Sequence, residues 1–316
     1  MSVFTPLQHD ELDAFLAPYR LGRLIAFEGI AAGSENSNFF VSLEHGEYVL
    51  TLVERGPTAD LPFFVELLEV LHQAGLPVPY ALTTDSGEAL RQLAGKPALL
   101  QPRLPGRHLS APNAHHCGEV GALLADIHLA TRERMLERRS DRGLDWMLRE
   151  GPSLALGLPE AQLPLLRDAL AEIGRLQWQI LALPQANLHA DLFRDNALFD
   201  GPRLSGVIDF YNACSGPMLY DLAITVNDWC SHEDGRLDPP RVRALLAAYS
   251  AHRRFTPAEA ELWPAMLRIA CVRFWLSRLI ASQANAGQQV LIHDPNEFQR
   301  RLQHRQQVTI ELPFAF

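Results

Sequence analysis

The apolar pattern of this 316-residue chain changes character at Pro102-Arg103-Leu104-Pro105-Gly106. Before that stretch, short segments rich in β-branched and aromatic residues alternate with turns. After it, apolar residues recur at helical spacing almost throughout. Residues 23–29, 37–43 and 48–53 read as strands, punctuated by Gly33-Ser34-Glu35-Asn36 and Glu44-His45-Gly46-Glu47, which predicts an antiparallel meander. A capped amphipathic helix is expected over 6–20, with Leu12, Phe15, Leu16 and Tyr19 on one face. A second is expected over 62–75, with Phe63, Leu67, Val70 and Leu71 inward and Gly75 as its stop. A further strand covers 96–101. Helical periodicity then runs through 112–130, 141–150, 159–183, 239–252, 256–285 and 294–305. The predicted class is α+β, with an antiparallel-sheet N-lobe over 1–104 and a mainly helical C-lobe over 105–316.

One stretch, 187–213, breaks the helical pattern. It reads His189-Ala190-Asp191-Leu192-Phe193-Arg194-Asp195-Asn196, then Leu204-Ser205-Gly206-Val207-Ile208-Asp209-Phe210. Asp191 can take the proton of a hydroxyl, and Asn196, five residues later, can ligate a metal. Asp209 ends an apolar strand 18 residues after Asp191, where a charge is costly unless it is paired. Mg²⁺ wants hard oxygen ligands and keeps several waters, so one carboxylate, one amide carbonyl and phosphate oxygens suffice. An acid that aligns a hydroxyl, together with two metal ligands at this spacing, is what phosphoryl transfer from ATP requires. His189 suits a structural role in the same loop, while Arg194 and Asp195 suit either substrate contact or a solvated ion pair. Asn196 taken alone is also a good turn residue, and Asp221 suits a helix cap that supports this loop and takes no part in the chemistry.

Composition narrows the partners. A net charge of −9 and a pI near 5.7 speak against nucleic acid and anionic membrane, which demand clustered cations. No apolar run approaches a membrane span, and Met1–His9 shows no secretory pattern. Cys117, Cys214, Cys230 and Cys271 are widely spaced, with no C-x-x-C pair, and read as reduced thiols of a cytoplasmic protein. Lys96 is the chain's only lysine, so cationic chemistry falls to arginine and backbone amides.

The H-A-D-L-F-R-D-N block, the Ile208-Asp209-Phe210 strand end and Tyr220-Asp221-Leu222-Ala223 resemble the aminoglycoside phosphotransferase and choline kinase superfamily. Its members share a two-lobed protein-kinase-like fold. A narrower resemblance, to the bacterial homoserine kinases of this fold, rests on residues 33–40, 48–52, 75–79, 95–98, 103–107 and 227–230. It implies ATP and Mg²⁺ as cofactors and L-homoserine as acceptor, on the route to threonine. By the same carry-over Asp191 is the base, and Asn196 and Asp209 hold the metal. Two features depart from protein kinases. Thr51 stands where a phosphate-binding lysine is usual, and G-x-G-x-x-G is absent from the first turn, where Gly33 and Ser34 still permit backbone approach to phosphate. Thr51, Gln101, Arg103 and Leu104 complete the expected nucleotide contacts, the last three at the hinge.

For the acceptor, Asn227, Asp228 and Trp229 follow the metal strand closely enough to line a pocket. Asp228 suits an ammonium group, and Arg194, Arg273 or Arg278 a carboxylate. The rival readings are a kinase of the same fold for an aminoglycoside, choline or methylthioribose-like acceptor, and a non-catalytic nucleotide-binding module. The intact Asp191, Asn196 and Asp209 argue against the second. Oligomeric state leaves no trace in the sequence.

Overall fold

Strand β2 (Ser37–Leu43) buries every second residue, Ser37, Phe39, Val41 and Leu43, and leaves the three between them half-buried. That period of two marks a strand with one face on a core. The computed structural model describes residues 4–30, 36–54, 56, 58–284, 293–307 and 310–313. These group into two units, one of residues 1–106 with 205–208 and one of 107–204 with 209–316.

In the first unit β2 lies between β1 (Leu24–Gly29) and β3 (Gly46–Leu52). Strands β4 (Arg91–Leu93) and β5 (Lys96–Pro102) complete an antiparallel sheet of order β1-β2-β3-β5-β4. Helix α1 (His9–Leu16) and the turn after it bring Leu12, Phe15, Leu16 and Tyr19 onto Phe39, Val41, Leu50 and Leu100 of the sheet. Each such side chain contributes about 1.5–3 kcal/mol on burial. Helix α2 (Leu61–Gln73) buries Leu61, Phe64, Leu67, Leu68 and Leu71. This corrects the expected face, because the contacting stripe runs through 61, 64, 68 and 71. Phe63 and Val70 sit half-buried at its margins, and the Phe63 ring meets Phe64 edge-on, centroids 5.4 Å apart. Lys96 donates to Thr5 Oγ1 at 2.5 Å and pairs with Glu54, which also accepts from Ser37 Oγ at 2.5 Å.

The second unit holds α3 (Ala114–Arg132), α4 (Leu144–Ala155), α5 (Leu163–Leu181), β6 (Gln185–Leu188) and β7 (Ala197–Asp200). After β8 (Arg203–Val207) it resumes with β9 (Cys214–Pro217), α6 (Met218–Trp229), α7 (Pro239–His252), α8 (Pro257–Ala284) and α9 (Pro295–Gln307). Strands β6 and β9 pair antiparallel, Leu188 opposite Cys214. Helix α6 is buried along its whole length, so its polar residues Asp221, Asn227 and Asp228 must find partners inside the protein. Among the described residues no helix is long and apolar enough to cross a membrane.

Helix α3 comes close to the α7 backbone at Gly121, where an added Cβ would lie 2.3 Å from the Leu245 carbonyl oxygen. Backbone, unlike a side-chain tip, cannot swing away. Gly121→Ala is therefore expected to cost about 1–3 kcal/mol through overpacking, despite alanine's better helix propensity. A shift of the urea midpoint to lower concentration checks this, and an unchanged midpoint contradicts it.

Candidate active site

The site grows out of the β6 strand end. After Leu188 the chain enters a loop in which Ala190 takes a left-handed backbone, φ +61°. For a residue with a Cβ this costs about 1–2 kcal/mol, so something must hold it. Asp221, fully buried in the first turn of α6, does so by accepting the amides of both His189 and Ala190 at 2.8 Å. It thus supports the loop, as the sequence suggests, while making no cap bond to its own helix. Its Oδ2 also faces His128 Nε2 at 3.1 Å, and His128 Nδ1 faces the Tyr249 hydroxyl at 2.8 Å. Burial pushes the Asp221 carboxyl up, but the hydrogen bond and charge of His128, aided by His189, hold it below its ordinary 3.8.

The loop then delivers Asp191. Its amide donates to His189 Nδ1 at 3.2 Å. Its carbonyl accepts from the Phe193 amide at 2.7 Å and from Asn196 Nδ2 at 2.9 Å. The carboxylate is 23% exposed, which lets an outside molecule reach it. Its Oδ2 accepts from Asn212 Nδ2 at 3.0 Å, and Arg273 Nη1 stands 3.8 Å from Oδ1. Because the Asn196 nitrogen is committed to the loop, its Oδ1 is the atom left to act as a ligand. Asp209 follows β8 with a left-handed φ of +63° and opens the short turn Phe210–Asn212. Among the described residues no group of three or more His, Cys, Asp or Glu could hold a metal. A carboxylate, an amide oxygen and phosphate oxygens do not need such a group.

The neighbours of Asp191 are anchored from below. Trp229, fully buried, donates from Nε1 to the Leu192 carbonyl at 3.0 Å. Asp228 accepts from the Arg194 amide at 2.9 Å and from Arg194 Nε at 3.1 Å, and it faces Arg301 Nη1 at 3.6 Å. Asn227 is also buried, donating to the Leu267 carbonyl and accepting from Arg305 Nε, both at 2.8 Å. The polar atoms of these three residues, named as acceptor contacts from the sequence, are thus engaged within the unit. Arg278 pairs with Glu297. Asp195 is exposed on the Arg194–Asn196 turn.

The expected nucleotide contacts lie in the first unit. Thr51 stands opposite Asn38 in the β2–β3 ladder, 4% exposed, and its hydroxyl donates to Asn38 Oδ1 at 2.7 Å. Gln101 pairs with Val49 and reaches the Pro79 carbonyl at 3.3 Å. Arg103 lies over the Phe40 ring, 3.8 Å from its centroid, and its amide donates to the Glu47 carbonyl at 3.0 Å. Leu104 follows, half-buried. Gly33 and Ser34 lie outside the described residues. Sequence reasoning missed Asn212 and His128 altogether. Asn212 carries a faint signal, three residues beyond Asp209, whereas nothing local distinguishes His128 from any helical histidine.

A family model described as "Phosphotransferase enzyme family" matches residues 26–263, and the chain belongs to that family. The chain is 72% identical over 315 residues, covering 100% of each protein to the nearest percent, to the homoserine kinase of Pseudomonas aeruginosa (strain LESB58). It is 43% identical to the homoserine kinase of Methylobacillus flagellatus, over 96% of this chain and 95% of the relative. Among solved structures it resembles an amicoumacin kinase in complex with AMP-PNP, Ca²⁺ and Ami, at TM-score 0.68 and 18% identity over 98% of both chains. At that identity the resemblance speaks for the shared kinase-like fold.

Replacing Asp221 tests the loop anchor. In Asp221→Asn an NH₂ group must face a donor, and the buried pairing with His128 is lost, an expected cost of about 3–5 kcal/mol. The wild-type carboxyl is held low, so its contribution is complete above pH 3.8 and lost as pH falls through the lower folded value. The gap in thermal midpoint between wild type and variant should therefore narrow as pH drops below 3.8. A gap constant with pH contradicts the assignment.

Proposed function

We propose that the protein transfers the γ-phosphoryl group of ATP to the side-chain hydroxyl of L-homoserine, giving O-phospho-L-homoserine by direct in-line displacement. The observation that carries this reading is the 72% identity, without gaps in coverage, to a homoserine kinase. The geometry around Asp191 supports it. A carboxylate on a rigid loop, open to solvent and oriented by an amide, can align a hydroxyl and accept its proton as the new P–O bond forms. No protein nucleophile is needed, and ADP leaves as the hydroxyl oxygen takes its place on phosphorus.

In this reading Asn196 Oδ1 and the Asp209 carboxylate hold Mg²⁺, which neutralises phosphate charge when bound. His189, Arg194 and Asp195 shape the loop. Residues 1–104 serve the nucleotide, and residues 105–316 serve the metal and acceptor. The Arg103 amide is spent on Glu47, so the Leu104 amide is the main-chain donor at the hinge for an adenine edge. With Gly33, Ser34, Thr51, Gln101 and Arg103, that stretch forms the proposed nucleotide contact. Asn227, Asp228 and Trp229 bear on the acceptor through the loop they anchor. Four unpaired, buried thiols suit a reducing, cytoplasmic setting.

Purified protein with Mg-ATP and a panel of hydroxyl acceptors decides the matter. ADP release with L-homoserine, at kcat/KM well above that for choline or an aminoglycoside, is expected; preference for another acceptor overturns the substrate. Asp191→Asn should lower kcat about 10²–10⁴-fold with little change in KM for homoserine. Asp209→Ala and Asn196→Ala should raise the Mg²⁺ concentration needed for half-maximal rate. Variants with unaltered metal dependence would remove those two residues from the metal site.

A further inference from the structure

Arg273 sits within α8, 2% exposed, its guanidinium 4.0 Å from the Phe274 ring centroid. A cation at that depth is costly unless an anion answers it. Among the described residues the carboxylate that faces Arg273 is Asp191, whose Oδ1 is 3.8 Å from Nη1. The other terminal nitrogen, Nη2, donates to Asn212 Oδ1 at 3.1 Å. A guanidinium can only donate, so it demands the carbonyl end of the Asn212 amide. The NH₂ end is thereby turned to Asp191 Oδ2, 3.0 Å away. A donor on one side and an acceptor on the other leave this amide one orientation.

The arrangement has a chemical consequence. Asn212 occupies Oδ2 of Asp191, while Oδ1 accepts no hydrogen bond from any described residue and lies beyond bonding distance of Arg273. Oδ1 is therefore the oxygen left for an incoming hydroxyl. The Arg273 Nη1 atom is fully buried and has no hydrogen-bond partner. A substrate carboxylate does not reach it, which separates this role from the acceptor contact that the sequence suggested. We propose that Arg273 and Asn212 form a positioning pair that sets the side-chain angle of Asp191 and presents Oδ1 to the acceptor hydroxyl; this rests on the phosphotransfer reading above. Neither residue touches substrate: Arg273 acts on Asn212, and Asn212 on Asp191.

The test is steady-state kinetics of the full chain with Mg-ATP and L-homoserine, for wild type, Asn212→Ala, Arg273→Gln and the double variant. Each single change is expected to lower kcat about ten- to hundredfold, as misorientation of a general base does. KM for both substrates should stay within about threefold. The double variant should fall no more than about threefold below the worse single, since residues acting through one another are not additive. Three results overturn the proposal: kcat unchanged in Asn212→Ala, single losses that multiply in the double variant, or an effect confined to KM for homoserine. Where the buried Arg273→Gln does not fold, Asn212→Ala and Asn212→Leu at the half-buried position carry the test. A kcat loss at unchanged thermal midpoint then supports positioning, and unchanged kcat overturns it. Absence of turnover in the wild type overturns the functional reading itself, whereas turnover with indifferent variants overturns the positioning pair alone.

Discussion

One buried carboxylate carries the geometry of the site. Asp221 accepts two successive amides of the loop that precedes Asp191, and a left-handed alanine between them is tolerable only because those bonds are made. The charge is expensive where it sits, and His128 and Tyr249 lead it back to helices α3 and α7. Loop, α6, α3 and α7 are therefore joined by one buried polar network. A chain of hydrogen bonds thus runs from Tyr249 on α7 through His128 on α3 to the loop.

A second layer supports the loop's far side. Trp229 holds the Leu192 carbonyl, and Asp228 holds the Arg194 amide and side chain. Both come from the last turn of α6, while Asp221 comes from its first. One helix thus grips the loop at both ends, and its complete burial keeps it from shifting. Asn227, on the same helix, is tied by Arg305 to the chain around Ser231 and Gly235.

How much of this was legible in the sequence depended on how local the signal was. Strand β2 and the helical stripes expected after residue 112 rest on neighbours along the chain, and the structure has them. The α2 face was misread because two adjacent phenylalanines fit either register, and only packing chooses between them. Asp191, Asn196 and Asp209 stand out in linear order because phosphoryl transfer imposes a spacing on such residues, and the proposed roles rest on that spacing. Asp228 carries no sign in the sequence of the ion pairs that it makes within the unit. Its partners, Arg194 and Arg301, lie 34 and 73 positions away, where no pattern rule connects them. The Arg273–Asn212 contact spans 61 positions and was invisible for the same reason.

The ion pair of Lys96 with Glu54 has a practical side. This chain carries one lysine, whose side chain is about one-third exposed while its amine bonds Thr5 and Glu54. Reagents that acylate or alkylate amines therefore find one side-chain address in the whole molecule, within the sheet-bearing unit. An acyl label placed there removes the charge and leaves Glu54 without its cation, whereas an alkyl label keeps the charge.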